Sequence, residues 1–249
     1  MSERNKVSIN VSGGSLKSPK VIVGVPDSGL VGTIACSYLV EQLKLEQIGY
    51  IDAEAMPPVL VVHESKPDYP VHIFGGGGVA VVLSEVPLPP RLSVEVAKDL
   101  VSWAKSQRAE MMVGVTGLPS RKREESPDEK PVVLGVANDE TILKKMKAFG
   151  VAPFEDGMIS GLHASLLKQC MAKGQSGLVL MVESLLQFPD PLAASGTVET
   201  LGGLLSVKVD VKPLLKQSEE IRLRLRQLMQ QTQQAEQQQL PSKPAGVYG

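Results

Sequence analysis

Val21-Ile22-Val23-Gly24-Val25-Pro26-Asp27-Ser28-Gly29-Leu30-Val31-Gly32-Thr33-Ile34-Ala35 reads as a strand that turns directly into a helix. Val21 to Val25 is an apolar run of the kind found in a strand buried on both faces. Pro26 to Gly29 supplies the turn, and from Leu30 to Leu45 apolar residues recur at helical spacing. The same alternation of short Val/Ile-rich runs with longer helical segments continues from Lys20 to Cys170. It predicts an α/β fold with a mostly parallel central sheet covered by helices.

Working outward, Ile48 to Ile51 reads as a second strand. Val59 to Val62, Val71 to Phe74 and Val79 to Leu83 are β-prone, and Gly75-Gly76-Gly77-Gly78 between the last two predicts an antiparallel hairpin. Leu92 to Ser106 predicts a helix with Trp103 on its apolar face, followed by a strand at Met111 to Val115. Ser120 to Lys130 holds eight charged side chains and is expected to be an exposed loop, since burying them is costly. Val132 to Val136 and Gly177 to Val182 read as strands, and Asp139 to Phe149 and Ile159 to Ala172 as helices. Pro191 to Leu205 closes the series as a helix with proline in its first turn.

The pattern then changes. Leu214, Ile221, Leu228 and Ala235 fall seven apart, with Leu225 near the same stripe, which predicts one long helix whose seam packs on another helix. Glutamines dilute the seam toward Gln239, and Pro-Ser-Lys-Pro-Ala-Gly after Leu240 resists both helix and sheet. The expected division is an α/β domain over 19–212, a long helix over 213–239 and a flexible tether over 240–249.

The 249 residues carry a formal net charge of −1, with both signs interspersed. The basic footprint of a nucleic-acid or anionic-membrane binder is missing. Met1 to Ser18 is polar and lacks a signal-peptide core, and no run of about eighteen apolar residues occurs, so a cytoplasmic location is expected. Cys36 and Cys170 sit in apolar helical patterns and read as core thiols.

Candidate chemistry is sparse. The turn around Gly24 to Gly32 matches neither GxGxxG nor a phosphate loop, so its glycines read as devices for a tight turn and close helix packing. Asp27 and Ser28 are placed to cap the helix. His63, His72 and His163 lack partner ligands at metal spacing, and neither Ser165 nor Ser184 lies in a nucleophile elbow. Glu64, Asp68, Glu85 and Asp156 lie near the ends of expected elements, where α/β enzymes keep acids and bases. They read more simply as solvated loop carboxylates, and Arg121-Lys122-Arg123, balanced by Glu124 and Glu125, as a solvated loop. No catalytic residue, cofactor or metal site is expected.

The chain closes with Val247-Tyr248-Gly249. Val247 offers branched methyls, Tyr248 an apolar ring with a polar tip, and Gly249 a terminal carboxylate with no side chain to block a cationic pocket. The tripeptide resembles the HbYX tail by which proteasome activators and some assembly chaperones dock between α-subunits of the proteasome core particle.

Further segments resemble the proteasome-assembly-chaperone family, specifically the archaeal homologues related to the second eukaryotic chaperone. Gly24 to Ala35 resembles the family's first strand-turn-helix, with Pro26-Asp27 where the family usually has Pro-Gly. Met56-Pro57-Pro58 resembles its next marker. Ile159-Ser160-Gly161-Leu162 and Gly177 to Glu183 resemble its late helix and strand, and Asp190-Pro191-Leu192-Ala193-Ala194 its final domain helix. Together these cover about Val21 to Ile221. The resemblance implies a three-layer α/β core similar to nucleoside phosphorylases without their catalytic residues, and no cofactor. It implies a chaperone or activator that forms homo-oligomers or complexes with a related chaperone, and the lack of a nucleotide-binding loop points to one that needs no ATP. Val247, Tyr248 and Gly249 would be the residues that meet the α-subunits. The alternatives are a nucleoside- or nucleotide-handling enzyme of phosphorylase-like fold, and an oligomeric scaffold with an inert tail.

Overall fold

The computed structural model describes residues 6–12, 16–186 and 188–216. The N-terminal half runs β1 (Val7–Val11), β2 (Lys20–Gly24), α1 (Val31–Gln42), β3 (Glu46–Ala53), β4 (Val61–His63), β5 (Lys66–Asp68), β6 (Val71–Gly76) and β7 (Val79–Ser84). There follow α2 (Ser93–Ser106), β8 (Met111–Pro119), α3 (Arg121–Glu125), β9 (Val133–Ala137), α4 (Glu140–Ala148), β10 (Ala152–Pro153), α5 (Gly161–Lys173), β11 (Gly177–Ser184) and α6 (Pro191–Leu205).

Nine strands share one sheet in the order β1-β3-β6-β7-β2-β8-β11-β9-β10, and β4 and β5 form a separate hairpin. The expected mostly parallel sheet gives way to a mixed one. β7, β2, β8 and β11 are mutually parallel, with Gly24 level with both Leu83 and Val115. By contrast β1-β3, β3-β6, β6-β7 and β11-β9 are antiparallel. The cause is connection length: β6 and β7 are joined only through Gly77 and Gly78, at φ 56° and 80°, and so short a link cannot carry a parallel crossover. Gly75 and Gly76, expected in the turn, belong to β6.

Strand alternation divides the core into two faces. Ile22 of β2 points into one cluster with Val31, Ala35 and Leu39 of α1, Ile142 and Met146 of α4, and Val198 and Leu201 of α6. Val21 and Val23 point into the other, with Leu100 and Val101 of α2 and Leu166 and Cys170 of α5. Helices therefore cover both sides, giving three layers, and Trp103 packs against the second cluster as expected. Gly24 lets α1 approach β2, since a Cβ there would lie 2.3 Å from the Gly32 carbonyl oxygen. Cys36 and Cys170 are both buried, and burial pushes the Cys170 thiol up to about 11.

Further placements depart from expectation, among them β5 and β10, which the sequence pattern does not announce. β1, absent from the expected elements, adds to the sheet edge beside β3. Ser120 to Lys130 contains α3, and Arg123 within it is buried rather than solvated. Leu214, the first member of the heptad seam, is 2% exposed and packs into the α1/α6 core. Ile221, Leu225, Leu228 and Ala235 lie outside the described residues. Among the described residues no helix is long and apolar enough to cross a membrane.

Candidate functional site

An open α/β sheet binds ligands beyond the carboxyl ends of its parallel strands, here the ends of β2, β8 and β11. The chain fills that place with its own groups. Asp27, after β2, accepts from Gly117 N at 2.9 Å and weakly from Gly32 N at 3.4 Å, so its cap spans α1 and β8 together. Partial burial outweighs these bonds and raises its carboxyl to about 6. Ser28 Oγ donates to the Leu185 carbonyl at 3.1 Å, and Ser184 Oγ to the Ser28 carbonyl at 3.3 Å. Ser184 is fully buried and committed to this contact, while Ser165 donates to Gly161 within α5.

Behind this seam lies a buried ion pair. Arg123 and Asp190 are 3% and 2% exposed at their side chains and pair through two parallel bonds, Nε to Oδ2 and Nη2 to Oδ1, both 3.0 Å. Asp190 also accepts from Leu185 N and Ala193 N, capping α6, while Arg123 Nη1 donates to the Ser126 and Glu129 carbonyls. Every oxygen of the carboxylate is thus engaged inside the protein, and the arginine has no fork left for a phosphate.

A cleft lined by Lys20, Glu110, Met111, Asp139, Lys145 and Ser176 opens at the opposite end, beside the first residues of β2 and β8. Asp139 there is spent on the α4 cap, accepting from Thr141 N at 2.7 Å.

The remaining sequence candidates separate. His163, on α5, is buried over Gly114 of β8 with neither ring nitrogen bonded, and burial lowers its pKa to about 4. Glu64 and Asp156 are exposed. His63, His72 and Glu85, widely spaced in sequence, meet at one carboxylate oxygen. Val247, Tyr248 and Gly249 lie outside the described residues. The described surface adds an apolar groove bounded by Met56, Pro57, Pro58, Val59 and Leu60, with Leu60 60% and neighbouring Val62 65% exposed.

His163 and Asp27 make a testable pair. A histidine depressed from 6.5 to about 4 contributes stability that is complete above 6.5 and lost as pH falls through 4. Asp27, raised from 3.8 to about 6, has the opposite sign: its contribution is complete below 3.8 and lost as pH rises through 6. At 1.36 kcal/mol per unit, each amounts to about 3 kcal/mol, so they nearly cancel in the wild type. His163→Leu should unmask Asp27, and the stability of the variant relative to wild type should improve by about 3 kcal/mol from pH 7 to pH 4. Urea unfolding at both pH values checks this, and a difference independent of pH would contradict it.

The PAC2 family matches residues 21–229 of the chain. PbaA of Pyrococcus furiosus, an archaeal homolog of proteasome-assembly chaperone, superposes with a TM-score of 0.81 at 31% identity, covering 92% of this chain and 95% of PbaA. PbaB of the same organism, an archaeal proteasome activator, gives a TM-score of 0.79 at 20% identity over 91% of this chain and 100% of its own, a likeness of fold. An uncharacterised Methanocaldococcus jannaschii protein, MJ0106, is 26% identical over 215 residues, 86% of this chain and 87% of the relative.

Proposed function

The chain belongs to the PAC2 family, and from that premise we propose that it is an ATP-independent proteasome assembly chaperone, activator, or both. It acts on the α-subunit face of the proteasome core particle. The observation that carries this reading is the likeness to PbaA along almost the whole chain at 31% identity. The ending Val247-Tyr248-Gly249 adds a docking element of matching chemistry. Its partners are the proteasome α-subunits and further copies of this chain or of a related chaperone, without nucleic acid, membrane or cofactor.

In this reading the α/β domain supplies the oligomer and a contact surface, to which the exposed groove at Met56 to Leu60 contributes. Residues 240–249 tether the tail, and ten extended residues reach at most about 35 Å. Tyr248 packs between α-subunits, Val247 fills the apolar entrance, and the Gly249 carboxylate pairs with a lysine. One tripeptide binds weakly, and several tails on an oligomer whose spacing matches the pockets bind tightly together. A catalytic role in a phosphorylase-like crevice finds less support. The carboxyl ends of the parallel strands are occupied by Asp27, Ser28 and Ser184 bonded to protein groups, and Arg123 is committed to Asp190.

The carboxylate gives the test. Amidating Gly249 removes the anion, and adding one residue moves it out of register, so each should weaken stimulation of peptide hydrolysis by purified core particle at least tenfold (about 1.4 kcal/mol). Gly249→Ala keeps the carboxylate and should be mild. Equal stimulation by native, amidated and extended protein would refute carboxylate recognition.

A further inference from the structure

His63 closes β4, His72 lies in β6 and Glu85 follows β7, so the β4-β5 hairpin and the sheet each bring a ligand-type side chain to one point. The Nε2 atoms of His63 and His72 stand 2.9 and 3.0 Å from the same Glu85 Oε1, and the donor atoms of the three residues lie within 4.8 Å of one another. A tetrahedral zinc ion at its usual bond lengths holds ligand atoms about 3.3 Å apart, so each histidine nitrogen stands within a few tenths of an ångström of its metal-bound distance from the Glu85 oxygen. Two imidazoles and one carboxylate suit zinc better than magnesium or calcium, which take oxygen ligands.

The second observation concerns the other nitrogen of His72. This side chain is 3% exposed, yet its Nδ1 has no hydrogen-bond partner, and the group facing it is Asp68 Oδ2 at 3.9 Å. When His72 donates from Nε2 to Glu85 as a neutral ring, its Nδ1 lone pair confronts a carboxylate across that gap, which is unfavourable on both sides. An ion taking the Nε2 lone pair reverses the tautomer. Nδ1 then carries the proton and donates to Asp68, the carboxylate–histidine–metal arrangement that orients zinc ligands elsewhere.

We propose that His63, His72 and Glu85 form a zinc-binding site, with Asp68 as the carboxylate that orients His72. The fourth position faces solvent through the exposed side of His63, which is 61% exposed at its side chain. The ion pins the β4-β5 hairpin to the end of the β6-β7 pair, where β6 begins and β7 finishes, fixing the segment that carries the exposed Val62. Protons and zinc compete for the same nitrogens, so affinity falls with pH.

The test is calorimetric titration of ZnCl2 into the full untagged chain after EDTA treatment, at pH 7. The expected result is saturable binding of one zinc per chain with a dissociation constant of about 1 μM or tighter, and a melting temperature raised by several degrees. His63→Ala, a change at an exposed position, should leave the metal-free melting temperature unaltered and weaken zinc binding at least tenfold, and Glu85→Gln should weaken it similarly. No saturable binding, binding well below one ion per chain, or undiminished affinity in His63→Ala would overturn the site.

Discussion

Arg123→Ala is expected to destabilise the folded chain by about 3–5 kcal/mol, a large share of the stability of an ordinary domain. The substitution leaves the Asp190 carboxylate, 2% exposed at its side chain, without its cation and removes the guanidinium donor from the Ser126, Pro127 and Glu129 carbonyls. Asp190 also caps α6 through Ala193 N, so the damage reaches the helix that packs on α1. Arg123→Lys keeps the charge but cannot reproduce the two-pronged pairing, and should fall between wild type and alanine. Urea unfolding of the three proteins measures the series. A loss below about 1 kcal/mol for Arg123→Ala would mean that water replaces the guanidinium and that the pair is a surface one in solution.

Tyr248→Ala should abolish detectable binding to the proteasome core particle while thermal melting stays where it was. An aromatic anchor at the centre of an interface typically contributes about 2 kcal/mol or more, some thirtyfold in affinity per site. On an oligomer the loss compounds, because each tail that fails to seat lowers the effective concentration of the others. In the proposed arrangement Tyr248 belongs to a tether outside the α/β domain, so a change in stability is not expected. Analytical centrifugation with core particle checks the binding and a melting curve the fold. Wild-type affinity in the variant would remove Tyr248 as the anchor.

How much of this was legible in the sequence depended on how local the cause was. The strand-turn-helix at Val21 to Ala35 and helix α6 rest on neighbouring residues. Asp190 caps the helix that Pro191 opens, and both ends of α6 fall where expected. The direction of strands was less legible, because β9 lies antiparallel to β11 and that choice is made by packing across the sheet. β1 has no fully buried position and so little hydrophobic pattern to announce it. Arg123 looked like one charge in a solvated run because its partner is 67 residues away. His63 and His72 looked scattered because only the β4-β5 hairpin and the β6-β7 pair bring them to Glu85. The closing tripeptide has the opposite character: its chemistry is readable from three adjacent residues, and the role proposed for it depends on a pocket in another protein.

Surface plasmon resonance on immobilised core particle, comparing the full chain with one that ends at Gly246, tests that role most directly. The full chain should bind saturably and dissociate slowly, as expected of several tails seated at once. The shortened chain, with unchanged melting and oligomeric state, should show no saturable binding at concentrations that saturate the full chain. Equal binding of the two would contradict docking through Val247-Tyr248-Gly249, and no binding by either would contradict the core particle as partner.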